Sequence, residues 1–288
     1  EMIAGIYLVE RPEDILSIDD MLDRANLAQK SVKHLSGSKY ALYSEEMRKR
    51  VLYEKNIESC MEEALRNREF CLHLQPQVDI QHGDALFGAE VLVRWERPGY
   101  GMVSPGDFIP LFEKNGFVTE IDLHVLRQAC TRLEERLAQG LPVVPIACNF
   151  SRLHLQRDGF PERVKAIVDE YAVPVDLIEL ELTENIVMED LERAKGICRQ
   201  LKDLGFRISI DDFGSGYNGE TSLLDYHADF VKLDMGIVSG IDVARDHQDI
   251  ARNLIGYAHD RGIRVIAEGV ETPSELKAVI GLGVDYLQ

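Results

Sequence analysis

The chain has 288 residues, of which 45% are hydrophobic and 28% are charged, and its formal net charge is -18. This length suits one large domain, or one domain plus a fragment, and such a chain can bury a sizeable core. The acidic excess argues against binding to nucleic-acid polymers, which requires lysine and arginine on the phosphates. An anionic small substrate would need bound cations that reverse the local field.

Cysteine usage and the apolar segments bear on where the protein works. The chain has five cysteines and no CxxC pair, so we expect reduced, structural thiols in a cytoplasmic domain. No apolar run approaches transmembrane length and no signal peptide is visible, which leaves a membrane anchor elsewhere in a parent protein open. The sequence begins at Glu1 as an internal segment of a longer chain would, and it ends at Gln288 within an incomplete strand pattern. We therefore expect a piece of a longer protein, with the last strand and helix of its barrel incomplete.

The first 67 residues carry helical patterns. The segment Asp20–Lys33 places apolar residues on one side, which predicts an amphipathic helix. The segment Glu45–Asn67 predicts a longer, charged helix with an apolar stripe. Such a helix connects two domains or pairs with a copy of itself, and the sequence leaves both open.

From about residue 71 the chain alternates strand-like and helix-like segments. The predicted strands are Cys71–Val78, Gly88–Trp95, Val144–Phe150, Ile178–Thr183, Arg207–Asp211, Phe230–Leu233, Arg264–Glu268 and Asp285–Gln288. The predicted helices among them are Asp122–Ala138, Pro161–Tyr171, Leu191–Leu204, His247–Arg261 and Glu275–Gly281. The polar turn Gln81–Asp84 joins the first two strands into an antiparallel hairpin.

The alternation of strands and helices indicates an α/β fold with a parallel sheet. The number of strands favours a closed, TIM-like (β/α)8 barrel with an antiparallel first strand over an open sheet. No glycine-rich phosphate loop follows the first parallel strand, which counts against a dinucleotide-binding domain.

Carboxylate and amide side chains collect near the ends of the predicted strands, where barrels place their functional groups. They include Glu90, Asn149, Glu181, Asp211, Asp212 and Glu268. Without neutralisation, these charges would repel one another strongly inside a barrel. Mg²⁺ and Mn²⁺ suit such oxygen ligands, and a pair of cations is a standard arrangement for splitting phosphodiesters. We therefore expect two cations, with the adjacent Asp211 and Asp212 well placed to bridge them.

Several candidate residues also have an ordinary structural interpretation. Asn149 taken alone would be a turn or capping amide, and Lys232 would pair with Asp234 on the same strand. Glu184 and Glu271 are compatible with acids at helix N-termini, and the sequence does not separate this from a role in the site. The eight histidines show no ligand spacing, so we expect surface or packing roles for them.

Separate motifs give the chain a family resemblance. They read AEVLVRW, NFS, ELELTE, DDFGSG, VKLD and AEGVET. In order and spacing, across Phe70–Gln288, they resemble the EAL phosphodiesterases. The resemblance implies a TIM-like barrel with an antiparallel first strand and hydrolysis of cyclic di-GMP to linear pGpG in bacterial second-messenger signalling. This chain has Val91 where the family has alanine, which we expect to alter packing rather than metal binding.

The resemblance also implies a role for individual residues. The metal ligands would be Glu90, Asn149, Glu181, Asp211 and Asp212. The catalytic residues would be Glu268, Lys232 and Asp212. The substrate-binding residues would be Gln75, Arg94, Asp234 and Gln288. Lys232 would contact the nucleophilic water and Arg94 a phosphate, while the identity of the base among Glu268, Lys232 and the metals stays open. Glu184 would brace the loop after Asp212, and Glu271 would support the site from behind.

The resemblance extends to the segments before the barrel. Asp20–Lys33 and Lys39–Tyr43 are similar to the last helix and strand of a GGDEF domain, whose signature is missing from this chain, so no cyclase activity is implied. We expect a GGDEF-like fragment over residues 1–44, a connecting helix over 45–67 and the phosphodiesterase domain over 68–288. The rest of the GGDEF domain and sensory domains are expected upstream in the parent protein.

The loop Gly214–Ser222 is the expected regulatory element. In the resembled family the corresponding loop links the metal site to a dimer contact, so we expect a homodimer through the EAL domain. Glu220 stands at a position that is usually apolar. Two alternatives to an active enzyme are a degenerate domain that binds cyclic di-GMP without cutting it and a scaffold that transmits a signal. Degenerate members typically lose metal ligands, whereas every ligand position matches here, which favours the enzyme.

Overall fold

The described part of the chain divides into two compact units. The computed structural model describes residues 2–9, 11, 15–33, 37, 39–183, 191–214 and 227–288. One unit comprises residues 1–67 with 106–111, and the other comprises residues 68–105 with 112–288. Among the described residues, no helix combines the length and the apolar composition needed to cross a membrane. The cysteines, all within the described ranges, form no disulfide.

Strands and helices alternate through most of the chain. The strands of the described residues are β1 (Ile3–Ile6), β2 (Lys39–Leu42), β3 (Phe70–Asp79), β4 (Ala85–Arg97), β5 (Gly101–Val103), β6 (Ile146–Asn149), β7 (Ile178–Thr183), β8 (Arg207–Phe213), β9 (Phe230–Leu233), β10 (Arg264–Ala267) and β11 (Tyr286–Leu287). The helices are α1 (Ile18–Val32), α2 (Glu45–Arg66), α3 (Pro105–Asn115), α4 (Val118–Ala138), α5 (Phe160–Val168), α6 (Leu191–Asp203), α7 (Met235–Val238), α8 (Arg245–His259) and α9 (Pro273–Leu282).

The first unit contains a strand–helix–strand segment followed by the long helix α2. Strands β1 and β2 are parallel, with Ile3 opposite Lys39, and α1 connects them. A Cβ atom on Gly5 would come within 1.8 Å of the Ala25 carbonyl oxygen, so only glycine allows this close approach of β1 to α1. The sequence pattern predicts α1 and a strand over β2. It does not predict β1, because four residues that include a glycine give too short a signal.

Eight strands of the second unit close into a barrel. The ladder runs β3-β11-β10-β9-β8-β7-β6-β4, and an additional β3–β4 pairing closes the ring. β3 is antiparallel to both of its neighbours, whereas the remaining neighbours in the ring are parallel. The predicted TIM-like barrel with an antiparallel first strand is therefore confirmed. β5 pairs with β4 outside the ring.

Some element boundaries differ from the sequence-based expectation. Helix α3 is not predicted, because it contains Pro110 in its interior, and proline normally ends a helical pattern. Helix α4 begins at Val118 rather than at the predicted Asp122. Asp122 consequently lies inside the helix and is buried.

The barrel interior changes from apolar to charged along its axis. Phe230, Ile266 and Tyr286 form a buried cluster against which Phe87 packs. Lys232 lies two residues beyond Phe230 on β9, so both side chains point to the same face of the strand. An apolar cluster therefore lies on the amino-terminal side of Lys232, next to the buried polar side chains of Glu179 and Ser209.

Candidate active site

The centre of the site is the ammonium group of Lys232, whose side chain is 1% exposed. Its Nζ atom lies 2.6 Å from Oε1 of Glu181 and 2.8 Å from Oε2 of Glu90. Oε1 of Glu268 lies at 2.6 Å and Oδ1 of Asp211 at 3.7 Å from the same atom. The four acids belong to or directly follow four different strands. The structure thus brings together side chains that the sequence places up to 178 positions apart, from Glu90 to Glu268.

The alternative pairing of Lys232 with Asp234 is wrong, because Lys232 turns toward the acids of other strands. Oδ1 of Asp234 instead accepts the Gly236 N–H at 2.8 Å. This hydrogen bond caps the short helix α7.

The adjacent acids Asp211 and Asp212 lie at an irregularity of β8. The register between β8 and β9 shifts between Ile210 and Phe213, and Asp212 has a φ of +56°, which few residues other than glycine adopt. In a regular strand two neighbouring side chains point to opposite faces. Here Asp212 interacts with Asp211 and hydrogen-bonds with Asp234, so both predicted acids belong to one electrostatic cluster.

Amide side chains donate hydrogen bonds to the acids of the cluster. Nδ2 of Asn149 donates to Oε1 of Glu90 at 2.7 Å. Nε2 of Gln288 donates to Oε2 of Glu90 and, at 3.1 Å, to Oε1 of Glu268. Gln77, which is 1% exposed, donates its own Nε2 to Oε1 of Gln288 at 2.7 Å. Gln77 is a member of this network that the sequence analysis does not identify.

Two predicted substrate residues lie on the strands around Glu90. Gln75 is exposed and sits directly opposite Glu90 in the β3–β4 ladder, so both side chains share one face of the hairpin. Arg94 is half-buried, and its Nη1 donates to the carbonyl oxygen of Val93 at 3.0 Å. Its guanidinium is therefore engaged with its own strand.

Of the two residues predicted to support the site, the structure describes Glu271 but not Glu184. Glu271 is exposed, and its backbone N–H donates to Oε2 of Glu275 at 3.2 Å. Glu184 lies outside the described residues. The expected regulatory loop also lies outside them, apart from Gly214 at its start. Their predicted roles stay predictions.

Burial controls the protonation of this cluster. Burial lowers the pKa of Lys232, but the surrounding carboxylates outweigh it and the pKa is raised overall. Burial raises the pKa of Glu268 to about 7 against the opposing effect of Lys232. Burial and neighbouring acids raise the pKa of Asp212 to about 6. Burial likewise raises the pKa of Glu181, again opposed by Lys232. Protons or cations must therefore balance the excess of carboxyl groups over the single ammonium.

The donor set fits a hard divalent cation. Oε2 of Glu181 and Oδ1 of Asp211 are buried and have no hydrogen-bond partner among the described residues. Carboxylate and amide oxygens are the ligands that Mg²⁺ and Mn²⁺ prefer, and a cation would satisfy these oxygens. In the described ranges, no group of three His, Cys, Asp or Glu side chains is already arranged around a metal position. The acids converge on Lys232 instead.

Two proteins with related sequences cover almost the whole chain. The signaling protein YkoW of Bacillus subtilis is 30% identical over 285 residues, covering 99% of this chain and 35% of that protein. The cyclic di-GMP phosphodiesterase NbdA of Pseudomonas aeruginosa is 30% identical over 275 residues, covering 96% of this chain and 35% of that protein. The chain thus spans about a third of the length of these relatives.

Solved structures and a family model match the same region. The structure of the PaMucR phosphodiesterase in complex with c-di-GMP is similar with a TM-score of 0.76 and 32% identity, covering 81% of this chain and 94% of that one. The family model described as EAL domain matches residues 59–288. The chain therefore belongs to the EAL domain family.

Proposed function

We propose that this chain is a phosphodiesterase that hydrolyses cyclic di-GMP to linear pGpG with two Mg²⁺ or Mn²⁺ ions. The observation that carries the proposal is the convergence of Glu90, Glu181 and Glu268 on Lys232 inside the barrel. A phosphodiester is anionic, so an acidic pocket receives it only when cations reverse the local field. The similarity to NbdA and to the PaMucR phosphodiesterase supports the same substrate.

The residues that would hold the cations are those with oxygen atoms in the cluster. They are Glu90, Asn149, Glu181 and Asp211 for one ion and Asp212, with Glu268 near it, for the other. The ions would supply positive charge to the phosphate oxygens and to the attacking water. Oε2 of Glu181 and Oδ1 of Asp211, which are buried and accept no hydrogen bond among the described residues, support this assignment.

The chain's own residues would then orient the reactants and move the proton. Lys232 stays charged, because the carboxylates around it raise its pKa, and it would donate a hydrogen bond to the attacking water. Glu268, whose Oε1 lies 2.6 Å from Nζ of Lys232, would accept the proton of the attacking water. Arg94 would exchange the Val93 carbonyl for a phosphate oxygen. Gln288 would orient the substrate beside Glu268, which it already contacts at 3.1 Å.

The direct test is incubation of the chain with cyclic di-GMP and Mg²⁺, followed by chromatographic detection of pGpG. We expect turnover that stops in EDTA. Glu90→Gln removes one anionic ligand without creating a cavity, so we expect a folded but inactive protein. Glu135→Gln makes the same chemical change at an exposed position that pairs with Arg132, and it should leave turnover unchanged. Hydrolysis that survives full chelation would contradict the proposal.

A receptor that binds cyclic di-GMP without cutting it is the second candidate. It is favoured by the position of Lys232, which occupies the centre of the acids in a part of the chain where no metal position is preformed. Calorimetry in EDTA and in Mg²⁺ separates the candidates. Binding in both conditions without any pGpG would favour the receptor.

We also propose that the barrel domain forms a homodimer and follows a GGDEF domain in a cytoplasmic bacterial protein. The family resemblance supports the homodimer and the GGDEF domain, and the cysteine usage supports the cytoplasmic location. Sedimentation of the chain with and without cyclic di-GMP tests the first, and a fully active monomer at every concentration would contradict it.

A further inference from the structure

A buried carboxylate–imidazole pair lies behind the carboxyl end of β6. The side chains of Asp122 on α4 and His154 after β6 are 10% and 2% exposed. Oδ2 of Asp122 lies 3.1 Å from Nε2 of His154 and also accepts the Ser151 N–H at 2.9 Å. The ring of His154 contacts those of Phe150 and Phe160, with centroids 5.3 Å and 4.9 Å away. The pair is thus enclosed between helix α4 and the turn that follows β6.

Three consecutive residues connect this pair to the acid cluster. The side chain of Asn149 donates to Glu90 of the cluster. The N–H of Phe150 donates to the backbone carbonyl of Glu181 at 3.0 Å. The N–H of the next residue donates to Asp122. The chain leaving β6 is therefore fixed by β7 on one side and by α4 on the other.

The packing of helix α4 alone does not require an aspartate at position 122. Burial raises the pKa of Asp122, and the hydrogen bonds from His154 and Ser151 only oppose that effect. Apolar side chains of similar volume often replace a buried charged or polar pair at little cost in stability. The neighbouring positions Ile121 and Leu123 on α4 are apolar and buried, so an apolar residue would suit the helix itself.

We propose that Asp122 is a positioning residue for the Asn149 side chain, a role that rests on the proposed function. By accepting the Ser151 N–H, Asp122 fixes the backbone just beyond Asn149. This sets the direction in which the Asn149 amide leaves β6. The amide nitrogen is then held on Glu90, and the same torsion directs the amide oxygen that would bind the cation. His154 holds the Asp122 carboxylate in the orientation that receives the backbone N–H.

The test is the affinity of the chain for Mn²⁺ in the absence of substrate, measured from the electron paramagnetic resonance signal of free Mn²⁺. Asp122→Leu removes the acceptor and keeps the branched shape with a larger volume, and we expect Mn²⁺ binding to weaken by roughly 10- to 100-fold, the range for residues that orient metal ligands. Asp122→Asn keeps an oxygen that accepts the Ser151 N–H, so its affinity should stay close to that of the wild type. Asp122→Ala replaces the leucine variant if the latter does not fold.

A control with the same residue types lies at the opposite end of the barrel, where the side chains of Asp285 and His259 are 27% and 40% exposed. Oδ2 of Asp285 accepts the Val265 N–H at 2.8 Å and lies 2.8 Å from Nε2 of His259. Asp285 thus contacts a backbone N–H and an imidazole, as Asp122 does, but away from the acid cluster. Asp285→Leu should lower the melting temperature and leave Mn²⁺ affinity unchanged.

The outcomes separate the positioning role from the proposed function. Wild-type affinity in Asp122→Leu, or an equal loss in Asp285→Leu, would overturn the positioning role and leave the proposed function standing. A wild-type chain that neither binds Mn²⁺ nor cleaves cyclic di-GMP would overturn both.

Discussion

The Nζ atom of Lys232 lies 2.6 Å from Oε1 of Glu181, and the two side chains are 1% and 0% exposed. Removal of one partner from a buried ion pair leaves an uncompensated charge, which typically costs about 3–5 kcal/mol. Glu90 and Glu268 contact the same ammonium, so one lysine compensates several acids. Removal of the Lys232 charge alone should therefore destabilise the barrel, whatever part the residue takes in a reaction.

The first prediction concerns the stability of the metal-free protein. In EDTA, Lys232→Met should lower the free energy of unfolding by about 3–5 kcal/mol, because the buried acids lose their counter-charge. Saturating Mg²⁺ should restore part of the loss, since a cation replaces the ammonium. Urea denaturation followed by circular dichroism measures both effects.

A control for this prediction is Lys202→Met. Lys202 pairs with Asp229, and the two side chains are 30% and 31% exposed, so water screens the pair. The expected loss is about 1 kcal/mol or less. Equal losses in the two variants would show that the burial of Lys232 has no special consequence.

The second prediction concerns the pH dependence of stability. Burial raises the pKa of Glu268 to about 7 from an ordinary value of 4.5, so the folded state binds this proton more tightly than the unfolded state. The contribution is fully present below about pH 4.5 and is lost as the pH rises through about 7. In EDTA, the free energy of unfolding should fall by about 3 kcal/mol over this range. The pKa of Asp212 is raised to about 6, so its titration also lowers the free energy of unfolding as the pH rises.

Glu268→Gln is the variant that checks this assignment. A glutamine does not titrate, so the slope of stability against pH should flatten. Urea midpoints at several pH values provide the measurement. An unchanged slope in the variant would assign the titration to another group.

The third prediction concerns Gly214, which follows the strand that carries Asp212. Gly214 has a φ of +93°, and a Cβ there would lie 2.6 Å from Cδ1 of both Ile237 and Leu254. Gly214→Ala should therefore lower the free energy of unfolding by about 1–3 kcal/mol and weaken Mn²⁺ binding, because β8 must shift away from helices α7 and α8. Gly196→Ala is the control, since a Cβ there meets open space on helix α6. It should leave stability unchanged or raise it by up to about 1 kcal/mol.

The fourth prediction concerns Gln77. Gln77→Leu removes the hydrogen bond that holds Oε1 of Gln288 at 2.7 Å, so Gln288 loses its fixed orientation beside the acids. We expect kcat for cyclic di-GMP to fall about tenfold, equivalent to about 1.4 kcal/mol, with a smaller change in KM. Gln81→Leu is the matched control, because Gln81 donates to the Val284 carbonyl in the turn region. A loss confined to KM would make Gln77 a binding residue.

The acids of the site could be predicted from sequence because strand periodicity and barrel topology constrain them strongly. Glu181 and Glu268 stand near the carboxyl ends of predicted strands, and parallel strands of a barrel end at the same face. Glu90 lies in the middle of β4 and joins them because β4 continues beyond it to Arg97. The irregularity of β8 at Asp212 could not be predicted. In a regular strand the side chain of Asp212 would point to the face opposite that of Asp211. Only a register shift and a positive φ bring it back.

The remaining polar residues depend on contacts that local patterns do not record. Gln77 meets Gln288 across 211 positions of sequence, and a lone glutamine in a strand carries no distinctive signal. Asp122 stands at the predicted start of α4, where an acid is ordinary. The observed start at Val118 places it one turn inside the helix. The sequence pattern therefore finds the charged centre but not the side chains that orient it.

The closure of the ring by β11 has a consequence for synthesis of the protein. β11 pairs with β3 through Tyr286 and Leu287, and the next residue, Gln288, reaches Glu90 across 198 positions. Contacts between such distant positions form late, because the loop between them must first be closed. A chain emerging from the ribosome therefore carries Glu90 long before Gln288 joins it. Under the proposed function, nascent and half-folded copies would leave the second messenger intact, so its degradation in the cell would begin with completed barrels rather than with translation.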